Sequence, residues 1–344
     1  MRLSLAALLT VSALGATVVT PARGQTPDAG PLNVLCSAGV DWCNHLAKLY
    51  TKQTGNAVTL ATKSTNEVLA QIAAEKANPK TDLWFGGTGD PHLQAAEIGL
   101  LADYKSDKLS QLHDWAQAQA KAANYQTVGI YLGPLGFSYN TELVARKKIT
   151  APQCWADLLK PEFKGEIQMA NPASSGTAYT AIATLVQIMG EEPAFAYLKK
   201  LHPNVSQYTR SGSAPLKNAA RGENTVGVSF IADVVGEAVG GGFPLKFSVP
   251  CEGTGYEIGS MSLVKGARHP EAAKKFYEWA LTLPAQNSGL DVKSYQIPAL
   301  KAGTSHPMMP KPSEMKLINY DFVKYGAAAT RTRLLARWQQ EVNQ

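Results

Sequence analysis

The feature that most constrains this chain is the regular exchange of short apolar runs for amphipathic stretches along its first hundred residues. Residues 32–35 read as a buried strand, after which Trp42, Leu46, Leu49 and Tyr50 repeat at helical spacing until Thr54-Gly55-Asn56 stops the helix. Residues 58–61 form a second strand, followed by a helix that starts near Ser64-Thr65-Asn66 and turns Val68, Leu69 and Ile72 inward. A third strand at 82–85 leads through Gly86-Gly87-Thr88-Gly89-Asp90 into a helix marked by Leu93, Ala96 and Leu100. Strands and helices that alternate across short polar connections bury their apolar faces as a mainly parallel sheet covered on both sides. The fold class is therefore α/β. Ligands of such sheets lie at the carboxyl ends of the strands, where the three connections carry Ser37, Ser64-Thr65 and Gly87-Thr88.

A second alternation follows residues 128–139, an extended stretch containing Gly133-Pro134-Leu135-Gly136 that predicts a crossing between two lobes. Strands are expected at 166–169, 205–208 and 226–230, with helices at 174–189 and 214–221. Residues 247–250 would carry the chain back, a helix at 269–281 begins with Pro270 in its first turn, and residues 312–342 read as a C-terminal helical segment across one lobe. A mature chain of about 320 residues exceeds what one core usually supports. The expectation is lobe 1 from 25–132 plus 251–285 and lobe 2 from 133–250 plus 286–344, joined by hinge crossovers.

Residues 1–24 read as a cleavable secretion signal: Met1-Arg2, an apolar run over 3–19, and small residues at Ala22 and Gly24 ahead of Gln25. Cys36 follows Val34-Leu35 and lacks the setting of a lipid-modified cysteine. No later stretch approaches the ~20 apolar residues that cross a bilayer. Without Arg2 and Arg23 the chain carries 31 basic against 27 acidic residues, dispersed rather than striped, which argues against nucleic acid as a partner. Four cysteines in an oxidising compartment allow three pairings. The favoured bridge is Cys36 with Cys43, while Cys154 and Cys251 are expected to stay free. No cysteine has a neighbour at zinc-site spacing, and neither metal nor cofactor is expected.

The densest polar element is Asn171-Pro172-Ala173-Ser174-Ser175-Gly176-Thr177, ahead of a helix whose buried face is Ala178, Ile182, Leu185 and Met189. A helix start offers free N–H groups and the positive end of its dipole, which suit a phosphate, phosphonate or carboxylate. Ordinary N-capping is the plainer reading, but Ser174, Ser175, Gly176 and Thr177 exceed what one cap needs. Thr209-Arg210-Ser211-Gly212-Ser213 precedes a second helix with Pro215 in its first turn. With Ser37, Ser64, Thr65, Gly87 and Thr88, these segments predict an anion held between the lobes mainly by neutral donors. Asp233 and Glu252 could accept hydroxyls of a sugar or pair with an amine; equally, they could cap a helix or sit in a solvated loop. No Gly-x-Ser-x-Gly elbow, His-Glu-x-x-His motif or dinucleotide fingerprint is present, so an enzyme is not expected.

Four segments resemble a known family over nearly all of the mature chain: residues 81–90, 174–179, 206–212 and 250–257. They are similar to the iron(III)-type branch of ABC-transporter substrate-binding proteins, and within it to the hexose-phosphate-binding, AfuA-like subgroup. The resemblance implies a two-lobed periplasmic binding protein (type II) fold and a monomer in the periplasm. Such a protein closes on a small phosphorylated or phosphonate-type anion and hands it to an inner-membrane ABC permease with its ATPase. Ferric-binding relatives carry adjacent tyrosines in the stretch matching Phe230-Ile231-Ala232-Asp233, and none stands here. Sugar-phosphate binders have a His-Asp pair and a later Glu. This chain keeps Asp233 and Glu252 but has Ala232 in place of the histidine, so phosphate capture is better supported than hexose identity. A ferric protein of the same family and a secreted hydrolase are the alternatives.

Overall fold

The computed structural model describes residues 30–343, and the expected signal at 1–24 lies outside the described residues. The first lobe opens as the alternation requires: β1 (Leu32–Cys36), α1 (Val40–Thr54), β2 (Val58–Thr62), α2 (Thr65–Ala74), β3 (Leu83–Phe85) and α3 (Gly89–Glu97). β1 runs parallel to both β2 and β3. After α4 (Asp114–Ala122) comes β4 (Val128–Asn140), which the glycines and Pro134 do not interrupt.

The second lobe follows with α5 (Thr141–Lys147), β5 (Ile167–Ala170), α6 (Gly176–Met189), α7 (Glu191–Leu201), β6 (Val205–Thr209), α8 (Ala214–Ala220), β7 (Val226–Phe230), α9 (Ile231–Val235) and β8 (Leu245–Ser248). The chain then returns to lobe 1 as β9 (Tyr256–Leu263), α10 (Pro270–Ala280), α11 (Leu283–Asn287) and β10 (Ile297–Pro298), and ends with α12 (Phe322–Gly326) and α13 (Ala328–Glu341).

The strand order is β2-β1-β3-β9-β4-β7-β5-β6, with β8 and β10 both paired to β4. β4 is the shared axis. Its residues 128–134 lie antiparallel to β9 and its residues 135–139 antiparallel to β7, so the partner changes at Pro134/Leu135, inside the predicted crossing. β9 inserts antiparallel between β3 and β4, which makes the lobe 1 sheet mixed rather than mainly parallel. β8 still pairs with the lobe 2 half of β4, so the return crossing lies after Ser248 instead of within 247–250.

Each lobe has its own core. Trp42, Leu46, Tyr50, Phe85, Tyr131 and Phe276 pack in lobe 1, and Phe137, Trp155, Tyr179, Phe195 and Leu185 in lobe 2. Ala285, Ala299 and Leu300 belong to the lobe 1 core, and Ile297 pairs with Leu132, which moves 286–300 out of the expected second lobe. Tyr320, Leu334 and Trp338 pack in the lobe 2 core. The single C-terminal helical segment expected over 312–342 is broken at Ala327, whose ψ of 135° is extended.

Cys36 and Cys43 are bridged as expected, and Cys154 and Cys251 are bridged as well, with Cα atoms 4.8 Å apart. The expectation of free thiols fails because distance along the chain says nothing of the fold. The Cys251 N–H donates to the Gln153 carbonyl at 2.9 Å, which seats the return loop beside Cys154. Closing loops of 7 and 97 residues restricts the unfolded chain by about 2 and about 5 kcal/mol in the loop-entropy account. Replacing Cys154 and Cys251 together by alanine should therefore lower the denaturant midpoint more than replacing Cys36 and Cys43; an equal or reversed ranking would contradict this.

Candidate ligand-binding cleft

Between the lobes lies a cavity of about 710 Å³. Lobe 1 lines it with Ser37, Ser64, Thr65, Gly87, Thr88 and Tyr131, and lobe 2 with Ser175, Thr177, Ser211, Gly212 and Asp233. Several helix starts line it, those of α2, α3 and α6 among them. Ser64, Thr88 and Ser175 are the extended residues immediately before α2, α3 and α6. Ser64 opens a capping box, its N–H donating to Glu67 Oε2 at 3.3 Å. The Thr88 hydroxyl is buried and makes no hydrogen bond among the described residues.

Two glycines let these parts approach. Gly87 holds a φ of +84°, its N–H donates to the Tyr131 hydroxyl at 2.9 Å, and a Cβ there would stand 2.6 Å from Thr65 Oγ1. At Gly212 a Cβ would overlap Thr177 Oγ1 and stand 2.9 Å from Ser175 Oγ.

The lobes are closed on one another. Ser64 Oγ donates to the Arg210 carbonyl at 3.3 Å, Asn66 Nδ2 to the Pro172 carbonyl at 2.8 Å, and Arg210 forms an ion pair with Glu67. Ser174 and Gly176, expected as ligand groups, do not line the cavity. Ser174 Oγ donates to the Arg210 carbonyl at 2.8 Å, and Gly176 lets the start of α6 abut Thr88. Both shape the cleft.

The acidic side departs from the sequence reading at one residue. Glu252 lies outside the cavity, its carboxylate accepting the N–H groups of Trp155 at 2.8 Å and Ala156 at 3.0 Å, so it caps the turn at Trp155–Leu159. Glu257 takes the place expected for it. It is the second residue of β9, paired with Gly133, where a Cβ would stand 2.9 Å from Glu257 Oε1. An acid inside an otherwise apolar strand run was the available signal.

Asp233 lines the same wall, and its Oδ1 accepts from Gln296 Nε2 at 3.0 Å. Burial pushes Asp233 up to about 6. Burial, with repulsion from Asp233 and Asp90, holds Glu257 well above the ordinary carboxyl range. Both are poised to share protons with a ligand's hydroxyls. Ala232, where the resemblance calls for histidine, is wholly buried against Tyr295 and Met309.

Sequence reading also missed the aromatic wall and the cations. Trp42 and Tyr131 had the spacing of core residues, yet both line the cavity, with ring centroids 5.4 Å apart. Lys63, Arg210, Lys217 and Lys293 line it too. Arg210 is held by Glu67, Lys217 lies 3.8 Å from Glu237, and Lys293 Nζ donates to the Gly240 carbonyl.

A hinged pair of lobes, a polar cleft between them and a shared central strand describe a solute carrier, and residues 78–325 match the bacterial extracellular solute-binding protein family. The chain belongs to that family. The solved structure of the periplasmic binding protein AfuA from Actinobacillus pleuropneumoniae, with fructose 6-phosphate bound, is 44% identical, with a TM-score of 0.89 over 92% of this chain and 99% of that one. The periplasmic binding protein P5PA is 37% identical, with a TM-score of 0.88 over 91% and 99%. A putative 2-aminoethylphosphonate-binding periplasmic protein of Salmonella typhimurium is 30% identical over 59% of this chain and 56% of its own. These relatives are binding proteins, and this solute-binding protein shares their architecture rather than that of an enzyme.

Asp233 ordinarily titrates near 3.8 and is raised to about 6. Folding therefore takes up a proton between those values, and the cost of holding the carboxylate grows as pH rises through that window. In the ligand-free protein, Asp233→Asn should raise stability by about 3 kcal/mol at pH 7.5 and by only a few tenths of a kcal/mol at pH 3.5. An equal gain at both pH values, or a loss at pH 7.5, would show that burial does not burden this group.

Proposed function

We propose that this protein is the periplasmic capture component of an ABC importer for a small phosphorylated polyol, working as a monomer that delivers its ligand to an inner-membrane permease with its ATPase. The observation that carries this reading is the meeting of three helix starts from two lobes around the unpartnered Thr88 hydroxyl. Free N–H groups and hydroxyls at helix starts suit a phosphate group without any direct arginine contact. On the opposite wall Asp233 and Glu257 offer acceptors for hydroxyls, and Gln296 orients Asp233. The ligand bound to the Actinobacillus relative, fructose 6-phosphate, has these two ends.

The two acids also suit an ammonium group, which favours a second reading, an aminoalkylphosphonate, in keeping with the Salmonella relative. Ferric iron is disfavoured by the chemistry of the cleft. Fe(III) calls for paired phenolates, whereas among the described residues Tyr131 is the one tyrosine lining the cavity.

Closure follows from the distribution of donors. Ser64, Thr65 and Thr88 lie on one lobe and Ser175, Thr177 and Gly212 on the other, so one anion satisfies both sets only when the cleft is shut. Binding then shifts the population towards the closed form.

Calorimetry with fructose 6-phosphate, inorganic phosphate and 2-aminoethylphosphonate tests the reading. Ser175→Ala with Thr177→Ala should weaken every phosphorus ligand by about 1–3 kcal/mol, whereas Asp233→Ala should weaken the ligands with hydroxyls or an amine more than inorganic phosphate. Unchanged affinity in the first variant removes the anion receptacle, and equal losses across ligands in the second remove the discriminating wall.

A further inference from the structure

Arg331, the fourth residue of α13, lies behind the receptacle and outside the cavity, only 1% exposed. Its Nε donates to Gln94 Oε1 and its Nη2 to Asn66 Oδ1, each at 2.7 Å, and its guanidinium stands 4.1 Å from the centre of the Tyr179 ring. Gln94, Asn66 and Tyr179 belong to α3, α2 and α6, three of the helices whose starts line the cleft. Asn66 follows Thr65, and Tyr179 stands two residues beyond Thr177.

None of the three partners carries a compensating charge, and Arg331 Nη1 has no hydrogen-bond partner among the described residues. The acid that acts on Arg331 is Asp90, which is buried as well; its Oδ1 accepts from the Tyr320 hydroxyl at 3.3 Å, and its Oδ2 makes no hydrogen bond among the described residues. The cations in the cleft are different: Arg210 and Lys217 have acidic neighbours, Lys293 spends its ammonium on a carbonyl, and Lys63 is exposed, so water screens its charge.

A buried cation whose hydrogen-bond partners are neutral keeps a field that solvent screens little, offset here only by Asp90. The aligned helix dipoles add to it with the same sign. We propose that Arg331 is a remote electrostatic determinant of anion affinity: it acts through the starts of α2, α3 and α6 to make the receptacle positive, without touching the ligand. This rests on the phosphate reading above and adds the source of the charge.

Calorimetry with fructose 6-phosphate and with inorganic phosphate on the native protein and three variants tests it. Arg331→Gln keeps a polar side chain without charge and should weaken fructose 6-phosphate binding on the order of tenfold. Arg331→Lys should recover most of that loss. Asp90→Asn removes the opposing charge while keeping an acceptor for Tyr320, and should tighten binding several-fold. Unchanged affinity in Arg331→Gln, no rescue by lysine, or weaker binding in Asp90→Asn would each overturn the proposal, the last two because a packing role alone predicts them. Should Arg331→Gln fail to fold, the other two variants decide. A native protein that binds neither anion overturns the phosphate reading together with this inference, whereas native binding with indifferent variants overturns this inference alone.

Discussion

The structure depends on one geometric constraint: helix starts belonging to two different lobes face each other across the cleft, with Gly176 abutting Thr88. Free N–H groups at a helix start are costly to bury without a partner and favourable beside negative charge. Thr88 and Ser175 stand on opposite sides of the cleft with Gly176 abutting Thr88, so the distance between lobes is set by atoms that also form the receptacle. In the proposed function, ligand binding and closure are then the same event, because each lobe supplies only part of the donor set.

The central strand makes such a hinge possible. β4 pairs with β9 on one side of Pro134/Leu135 and with β7 on the other, so the lobes share backbone hydrogen bonds while each keeps its own main core, and a small cluster of Ile231, Ala232 and Val235 with Tyr295 spans the boundary. Pro134 removes a donor at the change of partner. The C-terminal segment spans the same boundary from outside. The Ala328 N–H donates to Glu97 of α3 at 2.6 Å while Leu334 and Trp338 pack in lobe 2.

What could be read from the sequence was whatever local periodicity encodes. β1 to α3 and β5 to α6 emerged because helical and strand spacing lie within a few residues, and Ser64, Thr88 and Ser175 emerged because capping chemistry is local. The acidic wall needed register. Glu252 and Glu257 are five residues apart on one return crossing, and only the pairing of Glu257 with Gly133 decides which of them enters the cleft. The Cys154–Cys251 bridge, the assignment of residues 286–300 to lobe 1 and the insertion of β9 are likewise contacts between distant segments. Trp42 and Tyr131 pack in the lobe 1 core and also line the cavity, and helical or strand spacing registers only the first of these.

A crystal structure of the complex with fructose 6-phosphate tests the central claim most directly. The account predicts phosphate oxygens within about 2.7–3.2 Å of hydroxyls or N–H groups at Thr88, Ser175 and Thr177, with the sugar turned towards Asp233 and Glu257. A phosphate held on the acidic wall, or bound outside the cleft with those helix starts untouched, would contradict it.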